Sequence, residues 1–268
     1  MNLLERQMVD MLVDLRENHH VLAIKAEFES EGARVSEVLR LKEVALRAGL
    51  DLVLTIGGSE ALYDLHEVRL IGAARVVGPM IESAYALRKL LSSVRRTFPG
   101  EERSQISTWI NVETIDACHA FDCMLALPEI GELDGIVIGR VDLLGSMGLD
   151  RDAIDSIEIL NLARELFAKA KGKSLRCGIG GGVAAQALPF FRALGPELLN
   201  HYESSKVLFG CPDALGPGAA LGIAKAMGFE LLWLKNKQQT YAALAAEDDK
   251  RICMMEARAE AAMQAAQP

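Results

Sequence analysis

The sequence contains no Cys-x-x-Cys pair, no apolar run approaching the ~18 residues that span a bilayer, and no stretch where basic residues mass together. Each absence excludes something. Without an apolar span, no membrane protein is expected. With Lys and Arg scattered and a net charge of −8, nucleic acid is not expected as a partner. The five cysteines, Cys118, Cys123, Cys177, Cys211 and Cys253, lie among apolar or small residues, as buried free thiols do in a reducing compartment. The first twenty residues, MNLLERQMVDMLVDLRENHH, form an amphipathic helical pattern with acids in it, unlike a signal peptide. A cytoplasmic location follows as the expectation. No Ser/His/Asp or Cys/His arrangement is apparent. None of His19, His20, His66, His119 and His201 follows a strand where a catalytic base would sit.

What is present is a β/α rhythm. The chain has 268 residues, half of them hydrophobic, which suits one α/β barrel, with two small domains as the weaker alternative. Short apolar runs begin at Val21 (VLAIKAEFE), Leu52 (LVLTI), Arg75 (RVVGPMI), Ile106 (ISTWINV), Gly135 (GIVIG), Ser174 (SLRCGI) and Ser204 (SSKVLFG). Helical patterns separate them, with Ser59 and Thr114 as candidate N-caps. The alternation implies parallel strands joined by right-handed crossovers. The fold class read from it is a TIM-type (β/α)8 barrel with one strand irregular or missing. The absent strand is placed in the first twenty residues or the barrel is incomplete, and an open doubly wound sheet is the alternative. The barrel with its N-terminal helix is assigned to residues 1–215. Residues 216–268 read as two C-terminal helices, GAALGIAKAMGFELLWLK and Lys237 to Ala265, which pack either on a neighbouring subunit or lie free on the surface.

In a parallel barrel, function resides where the strands end. Glu113 ends the fourth run and Asp142 follows the fifth. On neighbouring strands, about 4.8 Å apart, the two carboxylates reach a common point. Their repulsion is relieved by a divalent cation, and hard oxygen ligands suit Mg²⁺ or Mn²⁺. Alternatively both acids cap helices, a favourable position in its own right. Lys25, Glu27 and Glu29 alternate, so they share one side of the first strand. They are either a site or a core ion pair. The Gly180 to Gly182 loop is either an anion cradle or a tight turn.

Three segments carry a resemblance: GPMIESAYAL (Gly78 to Leu87), INVETIDA (Ile110 to Ala117) and LDGIVIGRVDLLGSMG (Leu133 to Gly148). In this order and spacing they resemble the HpcH/HpaI aldolase and citrate lyase beta-subunit family of the phosphoenolpyruvate/pyruvate-binding superfamily. The resemblance covers about Val21 to Gly210 and is strongest from Arg75 to Gly148. It implies a β/α barrel that assembles as a trimer or hexamer, with a C-terminal helix packed on a neighbour. It implies a metal-dependent carbon–carbon lyase or aldolase acting on a 2-oxo acid through a pyruvate enolate. Glu113 and Asp142 would hold the cation, and the Gly139-Arg140-Val141 turn would bind the substrate carboxylate. The alternatives are a citrate-lyase-like acyl-CoA lyase and a noncatalytic metabolite-binding barrel. The chain departs from the pattern in three places. Arg140 stands where the family has proline, Thr55 lies where its aldolases carry arginine, and Glu29 and Ser30 lie where they carry histidine. Lys25, with Glu27 or Glu29, is the candidate replacement as cation and base.

Overall fold

The computed structural model describes residues 1–266. The first helix, α1 (Leu3–His19), is fixed at its start by a capping box. The Asn2 side chain accepts from the Glu5 N–H at 2.9 Å, and the Glu5 carboxylate accepts from the Asn2 N–H at 2.8 Å. The first twenty residues therefore hold no strand, contrary to one of the two expectations for the missing one.

Eight strands close a barrel in sequence order: β1 (Val21–Glu27), β2 (Asp51–Thr55), β3 (Arg75–Gly78), β4 (Ser107–Val112), β5 (Gly135–Gly139), β6 (Arg176–Gly180), β7 (His201–Glu203) and β8 (Val207–Gly210). The strand missing from the sequence reading is β7. Three residues are too few to show a period, and its inward positions are polar. β1 to β7 are parallel, but β8 runs antiparallel to both β7 and β1. The expectation that all strands point one way fails there. Only Ser204, Ser205 and Lys206 link β7 to β8. A parallel crossover needs roughly a dozen residues or more, so the short link forces a hairpin.

The helices between strands are α2 (Val35–Arg47), α3 (Leu62–Ile71), α4 (Ala84–Thr97), α5 (Ile115–Leu125), α6 (Arg140–Ser146), α7 (Ile157–Lys171) and α8 (Leu188–Leu194). Thr114 caps α5 as expected, accepting from the Ala117 N–H at 3.1 Å. Ser59 does not cap α3, which starts later, after Ala61. The C-terminal segment is one helix rather than two, α9 (Ala219–Ala265). Its composition turns from apolar to charged near Lys235-Asn236-Lys237, but no Gly or Pro interrupts it there, so the helix continues. Its first half packs against α1 and the barrel, burying Ile223, Ala226, Phe229 and Trp233. No described helix is long and apolar enough to cross a membrane.

The main core lies between the strands and the surrounding helices. A second, small cluster fills the barrel interior: Ala23, Val53, Val77, Trp109, Val137 and Leu208. Because strand side chains alternate, the residues two and four after Ala23, Lys25 and Glu27, also face inward. The interior thus passes from apolar to charged toward the C-terminal ends of the parallel strands.

Candidate active site

At those strand ends a cleft of about 800 Å³ opens, lined by Lys25, Glu27, Asn111, Glu113, Gly139, Val141, Asp142, the Gly180–Gly182 loop and Glu203 among others. Glu113 follows β4 directly and is only 5 % exposed. One carboxylate oxygen accepts from the Met80 N–H at 2.9 Å, the other from Asn111 Nδ2 at 3.1 Å. Met80 has a positive φ of 50°, a left-handed turn after β3. Gly139 is required beneath Glu113, because a Cβ there would come within 2.5 Å of Glu113 Oε2. Burial pushes the Glu113 carboxyl up to about 7; the charges of Asp142 and Glu27 add to this, while the bonds from Met80 and Asn111 oppose it.

Asp142 sits in the first turn of α6 and lines the same cleft. No side chain caps α6, and Thr114 rather than Glu113 caps α5, so neither acid is a helix cap. Asp142 nevertheless keeps the favourable place of an acid in the first turn of α6, so the helix-end alternative holds for it in part. Among the described residues, no group of three or more His, Cys, Asp or Glu is arranged to hold a metal ion. A pair of carboxylates beside an open cleft nevertheless fits Mg²⁺, which commonly takes one or two protein carboxylates and completes its shell with water and substrate.

Across the cleft lies a buried charge chain. Lys25 Nζ is 2.7 Å from Glu203 Oε1 and 3.0 Å from Glu27 Oε1. Glu203 Oε2 is 3.3 Å from His201 Nε2. Burial works against the Lys25 ammonium, but Glu203 and Glu27 outweigh it and hold its pKa above the ordinary lysine range. Burial likewise works against charge on Glu203 and Glu27, and Lys25 outweighs it, so both are held below the usual carboxylate range. His201, buried in the barrel, is shifted down by desolvation and packs edge-on to Trp109 with ring centroids 5.2 Å apart.

Of the three first-strand candidates, the structure brings Lys25 and Glu27 together. Glu29 lies outside, exposed in the bends after β1, where its side chain covers Gly57. Glu31 lines the cleft there, in an ion pair with Lys206. Of the turn residues, Gly139 and Val141 line the cleft. The Arg140 guanidinium is fully buried and occupied by the protein itself. It donates to the Gly180 and Gly181 carbonyls at 3.3 and 2.6 Å, to the Ile154 carbonyl at 3.3 Å, and to Asp155 at 2.5 Å. It packs over Phe190 and Phe191 at 4.7 and 4.8 Å. The side chain thus forms a structural tie between β5 and the glycine loop. Glu203, His201 and Asn111 were missed from sequence. Glu203 ends a strand just as Glu113 does, but the strand was not recognised.

No protein-family profile and no curated protein matches the chain. Solved structures do. A HpcH/HpaI aldolase from Desulfitobacterium hafniense superposes with a TM-score of 0.59 at 16 % identity, covering 84 % of this chain and 88 % of that one. The fold is that of the HpcH/HpaI aldolases. A HpcH/HpaI aldolase/citrate lyase family protein from Burkholderia cenocepacia gives a TM-score of 0.59 at 15 % identity, covering 88 % and 89 %. A variant of the citrate synthase SbnG gives 0.56 at 13 % identity, covering 86 % and 90 %. The resemblance carried by the three sequence segments is thus matched in three dimensions by the HpcH/HpaI barrel, at identities that speak for the fold.

Proposed function

We propose that the protein is a metal-dependent carbon–carbon lyase of the aldolase kind, acting on a 2-oxo acid through a pyruvate enolate. The observation that supports this reading best is the Glu113–Asp142 pair. A buried carboxyl pushed to about 7 beside a second carboxylate, at the wall of a wide cleft, is an arrangement that a divalent cation relieves. Glu113 and Asp142 would hold Mg²⁺ or Mn²⁺. The cation, when bound, supplies Lewis-acid stabilisation of charge on the 2-oxo oxygen.

The chain's own residues do the rest. Backbone amides of the Gly139–Val141 turn bind the substrate carboxylate. Lys25, kept charged by Glu203 and Glu27, supplies a fixed positive charge at the cleft floor. Two of the three Lys25 N–H donors are engaged, which leaves one for substrate. Glu27, held as a carboxylate, takes the proton from the hydroxyl of the bond-breaking carbon. As the carbon–carbon bond breaks, its electron pair moves into the pyruvate enolate and an aldehyde leaves.

The test is a thermal-shift series. Pyruvate or oxalate is expected to stabilise the protein only with Mg²⁺ or Mn²⁺ present, by about 2.7 kcal/mol at a hundredfold excess over Kd. Stabilisation by acyl-CoA thioesters alone would replace this reading with an acyl-CoA lyase. No response to any 2-oxo acid or metal would end it in favour of a noncatalytic barrel.

A further inference from the structure

The acids on the cleft wall exceed what a metal and a 2-oxo acid account for. Acidic side chains far outnumber basic ones there, and the basic ones are Lys25 and Arg151. Lys25 is held between Glu203 and Glu27. Arg151 is exposed in the short turn Arg151–Ala153 after α6, next to Asp152. Two cations behind the wall are engaged as well: Lys206 pairs with Glu31, and Arg140 with Asp155. A divalent cation at Glu113 and Asp142 would balance those two carboxylates, and the 2-oxo acid then adds a negative charge of its own.

Glu230, on α9, is a half-buried acid on this wall, outside the metal pair. Its Oε1 is fixed by the Ser204 hydroxyl at 2.6 Å and by the Lys206 N–H at 3.1 Å, both in the link between β7 and β8. Among the described residues no donor or cation reaches Oε2, and the atom keeps accessible surface. Met227, one turn earlier on the same face of α9, also lines the cleft and is 59 % exposed. The helix therefore presents an apolar contact beside an oriented carboxylate with one oxygen unused.

The position of Glu230 decides what that oxygen can meet. In the closed barrel the β7–β8 link lies across the mouth from β4 and β5, which lead into Glu113 and Asp142. Eight strands about 4.8 Å apart and tilted by about 36° enclose a circle about 15 Å across. A 2-oxo acid at the metal pair thus leaves room for a partner of a few carbons whose far end meets Glu230.

We propose that the aldehyde partner of the 2-oxo acid carries an ammonium group, which Glu230 recognises; this rests on the lyase reading and names its second substrate. A hydroxyl would donate to Oε2 but leave the charge of the wall unbalanced, whereas an ammonium does both. A carboxylate or phosphate would meet Glu230, Glu27 and the 2-oxo acid as like charges. The ammonium is bound and unchanged. The bond that breaks is still the one between the pyruvate methyl carbon and the aldehyde carbon.

Addition of pyruvate to three aldehydes of matched size, with Mn²⁺ present, tests this: 3-aminopropanal, 3-hydroxypropanal and 3-oxopropanoate. The natural chain is expected to show kcat/KM at least about tenfold higher for 3-aminopropanal than for 3-hydroxypropanal, with 3-oxopropanoate lowest. In Glu230→Gln the Ser204 and Lys206 donors keep an acceptor, and the ratio of amine to hydroxyl should fall to about one. That ratio is internal to each protein, so a loss of folded enzyme cancels from it. Thermal shifts with 3-aminopropan-1-ol and propane-1,3-diol read the same recognition without turnover, and the amine alone should stabilise the natural chain more than Glu230→Gln. A ratio near one in the natural chain, a preference for 3-oxopropanoate, or an undiminished ratio in Glu230→Gln would overturn the proposal and leave the lyase standing. Absence of adducts from every aldehyde would instead remove the lyase reading; the thermal shifts then decide the ammonium site, and an equal response of both proteins would remove it too.

Discussion

Glu203→Gln is expected to destabilise the protein by about 3–5 kcal/mol at pH 7, because it leaves the Lys25 ammonium buried without its nearest counter-charge. Lys25 would retain only Glu27, 3.0 Å away, and His201 would lose its carboxylate partner. The pH dependence has a definite sign. The folded-state pKa of Glu203 lies below its unfolded value, so its contribution is present in full above about pH 4.3 and is lost as pH falls through the folded value. Chemical denaturation should therefore show the full gap between natural chain and variant at pH 7, and a narrowing gap in strong acid. Replacing both partners should recover part of the loss, since Lys25→Met with Glu203→Leu removes the stranded charge together with its partner. A Glu203→Gln chain as stable as the natural one would mean that Lys25 is solvated or neutral.

Arg140→Met is expected to lose about 3 kcal/mol and to loosen the glycine loop. The guanidinium serves three carbonyls and Asp155 from a fully buried position, and leaving buried acceptors unpaired costs about 1–3 kcal/mol each before relaxation. Arg140→Lys should not rescue it, because an ammonium cannot reproduce the planar fork that spans the Gly180 and Gly181 carbonyls. Hydrogen exchange of the amides from Gly181 to Val183 reads this directly and should accelerate in both variants. Unchanged exchange would show that the loop is held by its own turn geometry.

The barrel was legible because its β/α rhythm is regular from Val21 to Gly180, and continuous apolar strands such as GIVIG declare burial on both faces. The rhythm stops at His201-Tyr202-Glu203. There a three-residue strand with inward polar side chains leaves no periodic trace, and the reversed β8 is visible only as a link too short for a crossover. Glu113 and Asp142 were legible because they follow strands that could be recognised. Glu203 was not, for the same reason that its strand was not. Lys25 and Glu27 could be placed on one face by alternation, but a face does not name a partner, and Glu203 is 176 positions beyond Glu27. Arg140 shows the opposite limit. Its place in the turn assigned to the substrate carboxylate is legible, whereas the direction of the guanidinium is set by the Gly180–Gly181 carbonyls and two phenylalanine rings that only the closed barrel brings near.

The most direct measurement of the metal site is a Mn²⁺ titration by calorimetry, with and without oxalate, on the natural chain, Glu113→Gln and Asp142→Asn. The natural chain should bind one Mn²⁺ per chain, more tightly with oxalate, and each variant should weaken that binding by more than about tenfold while remaining folded. Equal Mn²⁺ affinity in all three proteins, or oxalate binding indifferent to the metal, would contradict it.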